Sequence, residues 1–235
     1  MHYFLDPDFD PNAGILCPEE SRHAVKSLRL AAGDSILVGN GKGKLYTCTV
    51  RHAGRDSLAT AVTETMSIPP PRFRFDLAAA PVKNPTRFEW FLEKATETGV
   101  HTITPLLTRR TERPRFKTAR GERIMHAAGK QSKRAWLAEL NPLTPFGDVL
   151  GSAHGLKVIA HCDADRARRN FADLINETAA ESVLVLIGPE GDFTPEEIDA
   201  AVAAGFTEAD LGPNRLRTET AGVYCASVLA AMKMK

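Results

Sequence analysis

Three consecutive prolines, Pro69-Pro70-Pro71, following Ile68, divide the chain into stretches of different periodicity. Prolines lack amide donors and hold extended geometry, so neither a helix nor an inner strand can run through them. The sequence therefore predicts two domains, 1–71 and 72–235. Before the break the chain reads as short strands. Ser35–Gly39 and Leu45–Val50 flank the turn Asn40-Gly41-Lys42-Gly43, which predicts a hairpin. A helix is expected from about Glu19 to Leu30. About 70 residues of this content suggest a small barrel.

After the prolines, strand and helix patterns alternate. Strands are predicted at Phe73–Ala79, Thr102–Leu107, Leu156–His161, Val183–Ile187 and Ala209–Leu211. Phe88, Phe91, Leu92 and Ala95 fall on one helical face, a core pattern, and Gly99 stands where a helix would stop. Thr194-Pro195-Glu196-Glu197 is a capping box with proline at the first helical position, and Gly205 ends that helix. A last helix is expected over Glu219–Met232, with Tyr224, Val228, Leu229 and Met232 on one face. Such alternation predicts an α/β domain with a mostly parallel sheet.

Charge is unevenly spread. Residues 1–71 carry 7 Lys/Arg against 8 Asp/Glu, residues 72–134 carry 15 against 6, and residues 135–235 carry 8 against 15. The overall +1 thus hides a strongly basic middle third, which is either a footprint for a polyanion or a solvated helix face. Cys17, Cys48, Cys162 and Cys225 are widely spaced, which gives neither a zinc ribbon nor a disulfide framework and suits a reducing cytoplasm. The early acidic residues Asp6, Asp8 and Asp10 do not resemble a secretory leader, and apolar runs such as that ending at Ile187 are too short to cross a bilayer.

Two segments carry the chemistry. In the first, the apolar run Val183–Ile187 enters Gly188-Pro189-Glu190-Gly191-Asp192-Phe193 and then the capped helix. In the second, Leu211-Gly212-Pro213-Asn214-Arg215-Leu216-Arg217 leads to Thr218-Glu219-Thr220-Ala221 at a helix start. Ligands of open α/β sheets bind beyond the carboxyl ends of strands, and glycines admit a ligand close to the backbone. Taken singly, either loop also reads as a tight strand–helix turn, with Thr218 as cap. Neither is a P-loop or a G-x-G-x-x-G element, so a phosphate-bearing cofactor is not indicated. No G-x-S-x-G, no H-E-x-x-H and no metal-ligand spacing is present. His161-Cys162-Asp163 reads as a polar strand end, and Gln131-Ser132-Lys133-Arg134 as a phosphate contact or a solvated helix terminus.

These motifs together resemble the 16S ribosomal RNA uracil-N3 methyltransferases (RsmE type) of the SPOUT superfamily. The resemblance rests on Ile187-Gly188-Pro189-Glu190-Gly191, Leu211-Gly212-Pro213 and Leu216-Arg217-Thr218-Glu219-Thr220-Ala221. It is supported by Glu93-Lys94-Ala95-Thr96-Glu97-Thr98-Gly99-Val100 with Ile103-Thr104-Pro105, by Gln131 and Arg134, and by His23, Val25, Leu28-Arg29 and Gly33-Asp34. The chain departs from the common pattern at Asp192, where a second glycine is usual. It also departs at Lys130 (usually acidic), Thr98 (usually leucine) and Trp136-Leu137-Ala138 (usually Val-Pro).

The resemblance implies a PUA-like β-barrel domain that grips RNA, followed by a SPOUT-type α/β domain with a trefoil knot. It implies a homodimer, S-adenosyl-L-methionine as cofactor, no metal, and 16S ribosomal RNA or the small ribosomal subunit as partner. Carried onto this chain, Gly188, Glu190, Gly191, Leu211, Gly212, Leu216 and Thr220 would bind cofactor. Arg217 and Glu190 would serve catalysis, and Arg29, Lys83, Arg87, Gln131 and Arg134 would face RNA. The rival readings are another SPOUT RNA methylation such as ribose 2′-O, or a non-catalytic RNA-binding assembly factor that kept the fold.

Overall fold

The computed structural model describes residues 1–233, which form two compact units. The first comprises Met1–Pro70 together with His126–Leu137, and the second Pro71–Met125 with Ala138–Lys235.

In the first unit, β1 (His2–Leu5), β2 (Ser35–Gly39), β3 (Lys44–Ala53) and β4 (Leu58–Ser67) form one sheet in that order. β1 runs parallel to β2, and the other pairs are antiparallel. The expected hairpin joins β2 to β3. The hydrogen-bonded order is open, whereas sequence suggested a barrel. Among the described residues no ladder joins β1 to β4, and Ile15 bridges Ala59 on β4 instead. Phe4, Leu16, Ile36, Val38, Cys48 and Leu58 fill the core under this sheet.

Helix α1 (Pro18–Arg22) is shorter than the sequence predicts. It continues as a π-type turn over His23–Ser27, and the chain then reverses at Arg29, whose φ of 55° is left-handed. Residues 126–137 belong to this unit and are joined to α1 by a partly buried ion pair. Lys130 Nζ lies 2.6 Å from Glu20 Oε2 and over the Phe4 ring.

The second unit is built on a parallel sheet. Its elements are β5 (Arg74–Ala79), α2 (Pro85–Thr98), β6 (Thr102–Leu107), α3 (Thr118–Gln131, whose last turns belong to the first unit), β7 (Glu139–Leu140) and β8 (Thr144–Pro145). They continue with α4 (Phe146–Val149), β9 (Leu156–Ala160), β10 (Arg169–Asn170), α5 (Phe171–Glu177) and β11 (Ser182–Ile187). The last are α6 (Pro195–Ala203), β12 (Thr207–Asp210) and α7 (Thr218–Lys233). Strand order is β10-β12-β9-β11-β5-β6-β7, with β8 also on β6, and every pairing is parallel.

Alternation along each strand sorts the core into two layers. Phe75, Leu77, Val183, Val185 and Ile187 face α2, α5 and α7, and Ala78, Leu184 and Leu186 face α4 and α6. The predicted α2 face (Phe88, Phe91, Leu92, Ala95) is buried, and Gly99 ends the helix at φ 93°. The last strand starts two residues earlier than the sequence suggests, because Thr207–Ala209 pair with Val158–Ala160 of β9. On α7, Cys225, Ala226 and Leu229 are buried in the chain's own core, while Met232 is exposed. No described helix is long and apolar enough to cross a membrane.

One polar cluster interrupts the apolar layers. Asp76 is buried, and its Oδ2 accepts hydrogen bonds from His154 Nε2 (2.9 Å) and Arg74 Nε (2.9 Å). Burial pushes its pKa up, but the His154 and Arg74 hydrogen bonds outweigh that and hold it below the ordinary 3.8. A depressed carboxyl contributes stability that is present above its unfolded pKa and lost as pH falls through the folded one. Asp76→Asn should therefore cost about 2–3 kcal/mol at neutral pH, less than a fully buried pair because Arg74 is half exposed. Urea unfolding from neutral pH to pH 3 should show wild type losing its advantage over the variant as Asp76 protonates.

Candidate functional site

Because all strands of the second unit are parallel, the loops that follow β5, β6, β9, β11 and β12 emerge at one edge of the sheet. There the loops after β9, β11 and β12, with Arg87 of α2, wall a cavity of about 370 Å³. The β11 loop contributes Gly188, Pro189, Glu190 and Asp192, and the β12 loop contributes Leu211, Gly212, Leu216 and Arg217.

The two loops are pinned together. Thr218 Oγ1, at the start of α7, donates to the Gly188 carbonyl at 2.9 Å and is buried. Each loop is also shaped from within. Gly212 takes φ +108°, a Cβ there would meet nothing within 4 Å, and its amide donates to Asp210 Oδ1 at 3.0 Å. The capping box is formed as read: Thr194 Oγ1 accepts from the Glu197 amide, and Glu197 Oε2 accepts from the Thr194 amide.

Asp192 explains its own departure from the family pattern. Its φ is 63°, a conformation natural to glycine and tolerated by aspartate. Its Oδ1 accepts from the Phe193 amide at 2.8 Å and its Oδ2 from the Cys162 amide at 2.7 Å. The carboxylate thus does what a glycine cannot and ties the β11 loop to the β9 loop.

The β9 loop supplies a wall not legible in the sequence: Ala160, His161, Cys162 and Arg168 line the cavity. His161 is buried; burial lowers its pKa, partly countered by Asp192 and Glu208, so the ring is neutral at pH 7. Its Nδ1 accepts from the Asp163 amide, which leaves Nε2–H to donate to Glu208 Oε1 at 3.1 Å. Arg168 Nη1 donates to the His161 carbonyl at 2.8 Å. The available signal was position alone, since these residues follow a strand flanked by β11 and β12.

Of the residues singled out from sequence, Gly188, Glu190, Leu211, Gly212, Leu216 and Arg217 meet at this cavity. Gly191 does not line the cavity, and its carbonyl accepts from Arg110 Nη1 at 2.7 Å. Thr220 is exposed on α7 and does not line it either. Glu190 is exposed, and its Oε1 accepts from the Lys83 amide at 2.9 Å. Arg217 is exposed, with no side-chain hydrogen bond or ion pair among the described residues. Arg87 joins the lining, with Nε 3.8 Å from the buried Glu219.

The remaining basic residues are dispersed. Lys83 Nζ pairs with Glu112 at 3.0 Å. Arg29, Gln131 and Arg134 lie in the first unit. Arg29 and Gln131 are exposed, while burial of the Arg134 guanidinium lowers its pKa. Others of the middle third's fifteen basic residues are also paired with carboxylates, as Arg74–Asp76, Lys94–Glu97, Arg120–Glu89 and Lys130–Glu20.

Comparison with known proteins agrees with this architecture. A family model described as an RNA methyltransferase domain matches residues 69–230, and one described as an RNA methyltransferase PUA domain matches residues 16–62. The ribosomal RNA small subunit methyltransferase E of Mesomycoplasma hyopneumoniae is 30% identical over 231 residues, covering 95% of this chain and 96% of the relative. The protein of the same name from Synechocystis is 30% identical over 211 residues, covering 87% and 68%.

Among solved structures, one from Porphyromonas gingivalis described as a probable rRNA-methyltransferase is 33% identical. It superposes with a TM-score of 0.91, covering 100% of this chain and 99% of its own. A Legionella pneumophila protein described as a methyltransferase in complex with the bound cofactor S-adenosylmethionine is 27% identical, with a TM-score of 0.84 and coverage of 97% and 96%. With a PUA-type first domain, an RNA methyltransferase domain across the parallel sheet and full-length relatives of one name, the chain belongs to the RNA methyltransferase family, in its ribosomal RNA small subunit methyltransferase E branch.

Proposed function

We propose that this chain methylates N3 of a uridine in 16S ribosomal RNA, using S-adenosyl-L-methionine bound in the cavity at the β11 and β12 loops. The observation that carries the reading is the pairing of those loops through Thr218 and Gly188, with Arg217 free beside them. The lining fits the cofactor. Apolar groups of Leu211 and Leu216 and the open face of Gly212 suit a nucleoside, and Glu190, Asp192 and Asp210 suit a cationic sulfonium. When bound, the cofactor supplies an activated methyl group. Titration calorimetry with S-adenosylmethionine tests the assignment, and absence of binding would contradict it.

N3 of uracil carries a proton at neutral pH and attacks poorly until that proton leaves. Each unit between its pKa and the ambient pH costs about 1.4 kcal/mol. In this reading Arg217, with no competing partner, stabilises the negative charge that develops on the uracil oxygens. Glu190, one of whose oxygens is engaged by the Lys83 amide, offers the other to receive the proton or to orient the cofactor. Holding donor and acceptor in line provides a further part of the rate.

The trefoil knot belongs to the same proposal. It is supported by the path of the chain, which leaves β11, passes beyond β9 to β12, and returns to Gly188 where α7 begins. Threading of this kind is rare, so the family resemblance carries weight here. The proposal also places the enzyme in the cytoplasm as a homodimer. Because most of the apolar face of α7 is covered by its own chain, the dimer rests on the resemblance and on exposed Met232 and Trp90. Sedimentation equilibrium at micromolar concentration should give about twice 25.6 kDa; a fully active monomer would contradict this.

Lys83 and Arg87, with Arg29, Gln131 and Arg134, are proposed to face RNA. Phosphate contacts release counterions, so each one lost should lower the slope of log affinity against log salt by about 0.7–0.9. Lys83→Ala with Arg87→Ala should weaken RNA binding and flatten that slope. An unchanged slope would make these side chains a solvated face only.

A further inference from the structure

The loop after β6 grips the β11 loop at several points. Arg110 Nη1 donates to the carbonyls of Gly191 (2.7 Å) and Phe193 (3.1 Å). The Arg109 amide donates to Oε1 of Glu197, the capping-box residue, at 2.8 Å. On the other flank, Lys83 gives its amide to Glu190 and its Nζ to Glu112, and Arg113 Nη1 reaches the Lys83 carbonyl at 3.4 Å. The carbonyls that Arg110 holds belong to the peptides whose orientation sets the turn beside the cavity.

The gripping loop is itself an anion attractor. Residues 108–117 contain Arg109, Arg110, Arg113, Arg115 and Lys117 against the single acidic Glu112. Arg110 is exposed, and only its Nη1 is engaged among the described residues, so Nε and Nη2 are available. A guanidinium is a rigid planar fork. A phosphate oxygen on its free edge would fix the plane that holds Gly191 and Phe193. One side chain can thus serve a polyanion on one edge and the cofactor loop on the other.

We infer that Arg110 is a positioning residue that couples engagement of RNA phosphate by loop 108–117 to cofactor binding at the β11 loop. The inference rests on the functional reading above and goes beyond it by making the two binding events mutually reinforcing. By linkage, RNA raises cofactor affinity by the factor by which cofactor raises RNA affinity.

The test is equilibrium dialysis of labelled S-adenosylhomocysteine, which cannot turn over, with and without saturating unmethylated small ribosomal subunits. Wild type should bind the probe at least about fivefold more tightly when subunits are present. In Arg110→Ala that ratio should fall to near one with the chain still folded, because the side chain is exposed and its two hydrogen bonds go only to loop carbonyls. Arg110→Lys keeps the charge without the fork; it should regain RNA affinity but little of the ratio, and it keeps the test decisive if the alanine variant misfolds. A merely structural role would weaken the probe equally in both conditions and preserve the ratio, which would overturn the inference. So would a wild-type ratio of one. Wild type that bound neither probe nor subunits would overturn the functional reading itself.

Discussion

Gly188→Val is expected to raise the dissociation constant for S-adenosylmethionine about 100-fold or more while the chain stays folded. A Cβ at Gly188 would sit 3.2 Å from the Asp192 carbonyl carbon, Asp192 Oδ1 and Phe193 Cδ2. These neighbours cannot yield cheaply. Phe193 is buried against Phe146, and Asp192 is anchored to the Cys162 and Phe193 amides. The loop must therefore shift, and with it the carbonyl that Thr218 holds. A 100-fold loss corresponds to about 2.7 kcal/mol, within the range for forced repacking of a tight site. Apart from Phe193, the cores on both sheet faces are built outside this loop, so circular dichroism should stay near wild type. Calorimetric titration reads the effect; unchanged affinity would remove Gly188 from the cofactor site.

The second large effect is expected at Arg217. Arg217→Ala should lower the methylation rate by about 10²–10³ while cofactor affinity and stability change little. The guanidinium is exposed and has no partner among the described residues, so truncation removes nothing that holds the fold. A donor aimed at charge that develops only in the transition state changes turnover rather than ground-state binding. Single-turnover kinetics with saturating cofactor and unmethylated small subunits separates these quantities. A rate within a few fold of wild type would move the role of oxyanion stabilisation elsewhere, with Arg87, Arg168 and Arg215 the other arginines that line the cavity.

The sequence was most legible where local signals agree. The β11 run, its Gly-Pro loop and the Thr194 capping box appear together because each is set by neighbouring residues. Helix α2 is equally clear, since a four-residue apolar face and a left-handed Gly99 mark its side and its end. Elements fixed by distant partners were not legible. The two-residue strands β7, β8 and β10 exist only through register on β6 and β12. The first helix gives way to a π-type turn at His23 and is followed by a left-handed Arg29, neither of which the residue types announce.

The same division holds at the site. Gly188 and Gly212 declare themselves by flexibility at strand ends. His161 and Arg168 join the cavity only because β9 lies between β11 and β12 in the sheet. Asp192 departs from the family pattern in sequence, yet it keeps the left-handed backbone and adds a tie between two walls. Gly191 and Thr220, placed in the cofactor site by resemblance, do not line the cavity, although each adjoins a residue that lines it.

The central claim is that this chain places a methyl group on N3 of a uridine in small-subunit ribosomal RNA. The direct measurement is incubation of the protein with unmethylated small ribosomal subunits and S-adenosylmethionine labelled in its methyl group, followed by complete digestion of the RNA and identification of the labelled nucleoside. Label is expected in N3-methyluridine, appearing about 10²–10³ times more slowly when Arg217→Ala replaces the wild type. Label in a 2′-O-methylated nucleoside, or no label although cofactor and subunits both bind, would contradict it.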